Sequence, residues 1–178
     1  SVRDTHALAD AFLLDAEESA SLPPGVRAVA GKGRLISVEH NSAWIEIVRQ
    51  RLEDAGLAES VTLVHAPLEP VRLGQRNYLW YQAERILQAI GSTPVDILVV
   101  DGPPGQTCSR ARYPALPVLA GNLNRDAVVF LDDAERVDEG EIMAAWGQEF
   151  GFSCRISEGV HMLGVLNRGG RSGIERDS

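Results

Sequence analysis

Three apolar, β-branched runs in this sequence each end in an acid. Arg34–Glu39 reads RLISVE, Val95–Asp101 reads VDILVVD, and Ala127–Asp132 reads AVVFLD, with Asp133 directly after. Runs of this kind are the buried strands of parallel sheets, and in open parallel sheets ligands bind beyond the carboxyl ends of the strands. An acid at the end of each run therefore points into a binding crevice. Glu39 suits the two hydroxyls of a ribose, because one carboxylate accepts both hydrogen bonds; it equally suits a solvated strand end. Asp101, Asp132 and Asp133, converging from strands about 4.8 Å apart, form a hard oxygen site for Mg²⁺ or Ca²⁺. Asp133 taken alone is equally suited to capping a helix that begins near Glu135.

The residues around these acids add detail. Asp101 opens the stretch Gly102-Pro103-Pro104-Gly105, in which prolines fix the backbone and glycines permit close approach. Such a loop either holds Asp101 for a ligand or is a tight turn from strand to helix. Arg110 and Arg112 follow it, and fit an anionic substrate group or a solvated loop. Of the four histidines, His6, His40, His65 and His161, only His40 and His65 fall near the expected crevice. Trp44, Tyr78, Trp80, Tyr81 and Trp146 sit at helical spacing and read as core. No G-x-S-x-G occurs, and Gly31-Lys32-Gly33 lacks the spacing and hydroxyl of a phosphate-binding loop.

The elements that must position these groups follow from periodicity. Helical spacing covers Thr5–Asp15, a stretch after Ser42 that stops at Gly56, Tyr78–Ile90, and Glu139–Phe150, with Ser42 as a cap. Ser19–Gly33 reads as loop, Val61–Ala66 as a strand, Pro67–Pro70 as a turn, and Tyr113–Leu123 as a proline-interrupted helical stretch. Ser153–Ser157 and His161–Asn167 read as a terminal antiparallel pair. Alternating helices and strands predict an α/β fold with a mostly parallel sheet. The 178 residues suit one domain, 1–168, followed by a disordered tail, 169–178.

Composition narrows the function classes. Seventeen basic residues against 25 acidic ones give a net charge of −8, which disfavours a nucleic-acid backbone as partner. No apolar run approaches the ~20 residues that span a bilayer, so no membrane partner is expected. The cysteines, Cys108 and Cys154, lack the spacing of zinc ribbons and thioredoxins. With no signal segment visible, a cytoplasmic location is the expectation.

Taken in order, SVEHNSAWIEIVRQRLEDAGLAESVTLVHAPL, DILVVDGPPG and AVVFLDDAER resemble successive blocks of the class I S-adenosylmethionine-dependent methyltransferases, closest to the small O-methyltransferase-like group. The resemblance spans Thr5 to Asn167. It implies a Rossmann-like, mostly parallel sheet with an antiparallel C-terminal strand. It also implies methyl transfer from S-adenosyl-L-methionine to an oxygen of a small-molecule acceptor. Thr5, Glu39, His40, Ala66, Pro67, Leu68, Asp101, Gly102 and Pro103 would then border the cofactor. Glu39 would take the ribose hydroxyls, His40 would lie beside the adenosine, and Ala66–Leu68 would border the adenine. Asp101 would be the catalytic residue near the methionine end, and in a metal-free site would orient the acceptor or act as base. In the metal-dependent, catechol-type branch, Asp101, Asp132 and Asp133 stand at the Mg²⁺ positions, with Asp133 where that branch often has Asn.

One departure stands out. The family begins its nucleotide site with a strand ending E/D-x-G-x-G, and the sequence offers no such motif. Ser1–Thr5 reads as the remnant just after those glycines, so the sheet is expected to be incomplete at the N-terminus, with two strand edges lacking a partner. The alternative is a degenerate, non-catalytic Rossmann-like binding module. A nicotinamide-dependent oxidoreductase comes third, because Glu39 suits any adenosine ribose, but G-x-G-x-x-G is absent.

Overall fold

Contiguous Val, Ile and Leu residues can be buried on both faces only in the middle of a sheet covered by helices, and that is where they lie. The computed structural model describes residues 11–13, 33–157 and 162–168. Its strands are β1 (Ala11–Leu13), β2 (Leu35–Glu39), β3 (Val61–His65), β4 (Leu68–Leu73), β5 (Arg76–Tyr81), β6 (Val95–Val100), β7 (Leu123–Leu131), β8 (Phe152–Ile156) and β9 (Gly164–Arg168). Its α-helices are α1 (Ser42–Asp54), α2 (Ala83–Ile90), α3 (Ala115–Leu119) and α4 (Val137–Phe150). The main sheet has seven strands in the order β3-β2-β1-β6-β7-β9-β8, and β4 with β5 forms a separate hairpin. The first five strands of that order are parallel, while β9 runs antiparallel to β7 and β8 antiparallel to β9. The expected Rossmann-like sheet with an antiparallel C-terminal strand is present. Among the described residues no helix is long and apolar enough to cross a membrane.

The centre of the sheet corrects the sequence reading. Residues 11–13, expected in a helix, form β1. They pair with β2 through Phe12 and Ser37, and with β6 from Ala11 and Leu98 to Leu13 and Val100. The two edges expected to lack a partner share this one. Ala7, Leu8, Ala11 and Phe12 carry helical spacing, but a short apolar run fits a buried strand equally well. Two open strand edges decide between them, because unpaired backbone groups are costly. Thr5, His6, His161 and the 169–178 tail lie outside the described residues, as does nearly all of the expected Ser19–Gly33 loop.

A second correction concerns residues 68–81. The expected turn at Pro67–Pro70 and the start of the expected helix at Tyr78 are instead the β4–β5 hairpin, paired from Leu68 and Tyr81 to Leu73 and Arg76. Gly74, with φ +59, opens its two-residue turn, where a positive φ favours glycine. The helix begins only at Ala83. Tyr78, Trp80 and Tyr81 are core, as expected, but they reach it from a strand.

Helix α1 keeps its apolar face inward through Ile45 and Leu52. Its cap is Asn41, not Ser42: the Asn41 side chain accepts from the Ala43 N–H at 2.9 Å. Helix α4 packs on β9 at Gly164, where an added Cβ would meet the Met143 sulfur at 2.6 Å. Leu98, Val129, Leu131, Ile142 and Trp146 are fully buried in the same core as Met143.

The two fully buried tryptophans differ in one respect. Trp146 Nε1 donates to the Tyr113 carbonyl at 3.0 Å, whereas Trp80 Nε1 has no partner among the described residues. Trp146→Phe therefore leaves an acceptor unpaired, while Trp80→Phe removes an unsatisfied donor. Urea denaturation should show Trp146→Phe to be the costlier by about 1–3 kcal/mol. Equal costs would mean that the Trp80 N–H is satisfied in solution.

Candidate active site at the carboxyl edge of the sheet

Because β2, β3, β6 and β7 run parallel, their carboxyl ends lie along one edge. At the first of these ends Glu39 is 4% exposed. Its Oε1 accepts the Asn41 N–H at 2.8 Å, so the turn that caps α1 also aims the carboxylate. Oε2 is buried and has no partner among the described residues. Beside it, the Ala66 N–H donates to the Glu39 carbonyl at 2.9 Å, extending the β2–β3 pairing by one residue and burying Ala66 completely. His40 Nδ1 stands 3.0 Å from Glu39 Oε1 without hydrogen-bond alignment. His65 Nε2 lies 3.1 Å from the His40 carbonyl, tying the ends of β2 and β3 together. Pro67 and Leu68 follow, half-buried.

The second group is built by β6 and β7. Val100 faces Leu131, and the Asp132 N–H donates to the Val100 carbonyl at 3.0 Å, so Asp101 and Asp132 leave neighbouring strands side by side. Asp101, Asp132 and Asp133 each offer an oxygen, all within 4.8 Å of one another. Such a cluster could hold a divalent ion. Gly102 and Pro103, expected beside the cofactor, are buried directly behind Asp101. Asp133 has φ +57, and its carboxylate receives Arg112 at 2.9 Å and Arg136 at 2.8 Å. The capping expectation fails: the next helix begins at Val137, after Arg136, and Asp133 makes no cap.

Arg112 departs furthest from expectation. It neither lies in a solvated loop nor stands free for an anionic substrate; it is 4% exposed at the centre of the acids. Nη2 reaches Asp101 at 3.3 Å and Asp133 at 2.9 Å, and Nη1 donates to the Asp132 carbonyl at 3.0 Å. Glu139, 3% exposed in the first turn of α4, lies 3.6 Å from Nη1. Arg110 is engaged as well. Its backbone N–H donates to Asp138 at 2.6 Å, and its side chain pairs with Glu141. Tyr113, next in sequence, stacks on Tyr78 at 5.4 Å between centroids and donates to Glu149 at 2.7 Å. The hairpin and α4 thus hold the loop that delivers Arg112.

Burial pushes Asp101 from the usual 3.8 up to about 8, with Asp132 and Asp133 adding to the rise and Arg112 opposing it. Burial likewise raises Glu139, against Arg112. A carboxyl group that titrates near neutrality can hold or accept a proton at working pH. Sequence reasoning missed Glu139 because it falls on the polar side of an amphipathic pattern. It assigned Arg112 no internal partner because none is close in sequence.

No family model and no curated protein matches the chain. Solved structures share its fold. An O-methyltransferase from Bacillus cereus, in complex with SAH, is 15% identical over 91% of this chain and 75% of its own, with a TM-score of 0.63. The O-methyltransferase TomG from Streptomyces achromogenes, in complex with SAM, is 16% identical over 92% and 75%, with a TM-score of 0.61. A methyltransferase from Geobacter sulfurreducens is 19% identical over 80% of this chain, with a TM-score of 0.54; the chain spans 63% of its length. The likeness is one of fold, shared with several S-adenosylmethionine-dependent methyltransferases.

The raised acids set a pH dependence. The folded chain keeps a proton on Asp101 that the unfolded chain releases from about pH 4 upward. Stability that is fully present below about pH 4 is therefore lost as pH rises toward 8. Melting temperature should fall across that window. Asp101→Asn, which imitates the neutral form, should flatten the fall and leave only the part due to Glu139. An undiminished slope in the variant would place Asp101 in the ordinary carboxylate range.

Proposed function

We propose that the protein transfers the methyl group of S-adenosylmethionine to a hydroxyl oxygen of a small molecule. The observation that carries this reading is Glu39 Oε2, a buried carboxylate oxygen without a partner among the described residues, at the end of β2 and on the same sheet edge as the acid cluster. An orphaned buried acceptor is expensive unless a ligand donates to it. A ribose diol supplies two such donors, so the residues fit the cofactor. S-adenosylmethionine, when bound, supplies an electrophilic methyl on a sulfonium.

The chain's own residues do the rest. Glu39 would orient the ribose, His40 would lie beside the adenosine, and Ala66, Pro67 and Leu68 would border the adenine. Gly102 and Pro103 back Asp101 near the methionine end. Asp101, held protonated at neutral pH by its burial, would orient the acceptor hydroxyl by a hydrogen bond, and once ionised, above about pH 8, would take that hydroxyl's proton as the oxygen attacks. Holding donor and acceptor in line supplies much of the rate in such a displacement. Mg²⁺ does not fit the cluster as it stands, because Arg112 Nη2 lies between two of the three expected ligands.

A second reading, nucleotide binding without catalysis, is favoured by the sequence after β1, which runs LDAEESA where the family has its glycine motif. Calorimetry with S-adenosylmethionine and a methyl-transfer assay over a panel of hydroxylated acceptors separate the two. Binding with transfer is expected, and Glu39→Ala should weaken binding by roughly 10- to 100-fold, as loss of hydrogen bonds to a charged group implies. Binding without transfer favours the second reading. Absence of both overturns the proposal.

A further inference from the structure

We infer that Arg112 is the resident cation of the Asp101–Asp132–Asp133 cluster, a covalently attached charge that takes the place a divalent metal would need. The inference rests on the methyl-transfer reading only for its consequence for rate.

Geometry carries it. A small hard cation draws its carboxylate ligands to within about 2.0–2.6 Å of itself. A cation held by all three acids would have to share the Asp101 and Asp133 carboxylates that Nη2 already bridges, at 3.3 and 2.9 Å. A divalent ion at that point would lie against a positive charge with little water between them. Arg112 cannot simply swing away. The other nitrogen of its fork is held by the Asp132 carbonyl at 3.0 Å and faces Glu139 at 3.6 Å. The backbone on either side is anchored too, by Arg110 to Asp138 and by Tyr113 to Tyr78, Trp146 and Glu149.

The chemistry is consistent with this placement. Adjacent carboxylates at parallel strand ends repel each other, and a planar guanidinium with five donors can serve several oxygens at once. One fork here contacts a carboxylate from the end of β6, a carboxylate and a carbonyl from the end of β7, and a carboxylate from α4. Arg112 is thus a positioning residue: it sets the direction of the Asp101 carboxylate and touches no substrate itself.

Mn²⁺ titration, followed by the loss of the free-ion resonance signal, tests the inference directly. The wild-type chain should bind no Mn²⁺ at the cluster up to millimolar concentration, and any methyl transfer should be unaffected by EDTA. Arg112→Met, similar in length but uncharged, should acquire Mn²⁺ binding at least about tenfold tighter than wild type. Adding Asp132→Asn should remove the acquired site. Arg112→Lys, which keeps the charge, should stay free of Mn²⁺. Wild-type Mn²⁺ binding that Asp132→Asn abolishes would overturn the inference, as would a folded Arg112→Met that gains no site. If Arg112→Met does not fold, the wild-type and Arg112→Lys titrations decide alone. Calorimetry with S-adenosylmethionine on the same preparations tells the two claims apart. A chain that binds no cofactor sinks the methyl-transfer reading and leaves the Mn²⁺ result intact.

Discussion

Parallel pairing of β6 with β7 places two acids side by side, and much of the site follows from that. With Val100 opposite Leu131, Asp101 and Asp132 leave the sheet as neighbours, and Asp133 adds a third carboxylate. Unionised or compensated are the only states open to such a group. Both remedies are used. Burial keeps Asp101 protonated to about pH 8, and Arg112 is brought in from the loop before α3. Arg112 then imposes demands of its own. A buried guanidinium needs partners, and Glu139 and the Asp132 carbonyl add to those that the Asp101 and Asp133 carboxylates supply, while Nε has none among the described residues. The acids in the first turn of α4 are in turn favoured by the positive end of that helix.

The hairpin follows from the same demand. β4 and β5 are outside the main sheet, and they bury Trp80 and Tyr81 in the core packed against it. Tyr78 stacks on Tyr113, whose carbonyl accepts from Trp146 and whose hydroxyl donates to Glu149. Burial and that last bond push the Tyr113 hydroxyl up to about 12, so it stays a donor across the physiological range. A residue one position from Arg112 is thereby fixed from two sides. The loop can carry a buried charge because its backbone has little freedom left. Glu39 is positioned more simply: the turn that starts α1 provides the Asn41 N–H, and the ladder to β3 provides the wall.

What the sequence discloses about this molecule divides by distance along the chain. The strand ends at Glu39, Asp101 and Asp132 were legible because a buried parallel strand is a local pattern, an apolar run with an acid after it. The terminal antiparallel pair and α4 were legible for the same reason. β1 was not, because three residues with helical spacing become a strand only when two edges need them. The hairpin was hidden by Tyr78, Tyr81 and Trp80, whose spacing matches a helix turn; Gly74-Gln75 between Val71 and Tyr78 was the signal that pointed to a turn. Arg112 was least legible of all. Its hydrogen-bond partners lie 11, 20 and 21 residues away, and nothing local distinguishes a solvated arginine from one enclosed by acids.

A cation that belongs to the chain differs from one that is exchanged with solvent in when its cost is met. A metal site assembles after folding and releases its ion as conditions change. Arg112 is desolvated during folding, and that penalty falls on the stability of the fold. The return is preorganisation: a guanidinium whose backbone is anchored on both sides keeps its direction whether or not a ligand is present, so no reorganisation is needed when charge shifts in the site. Direction also matters more for a guanidinium than for an ion. An ion draws its ligands inward around a point, whereas the fork of Arg112 holds Asp101 and Asp133 along one edge and the Asp132 carbonyl along another. That geometry leaves the Asp101 carboxyl group a quarter exposed, on the edge of the sheet where Glu39 also lies, rather than enclosed in a coordination sphere. A carboxyl group held in that way keeps a fixed direction and stays open to solvent.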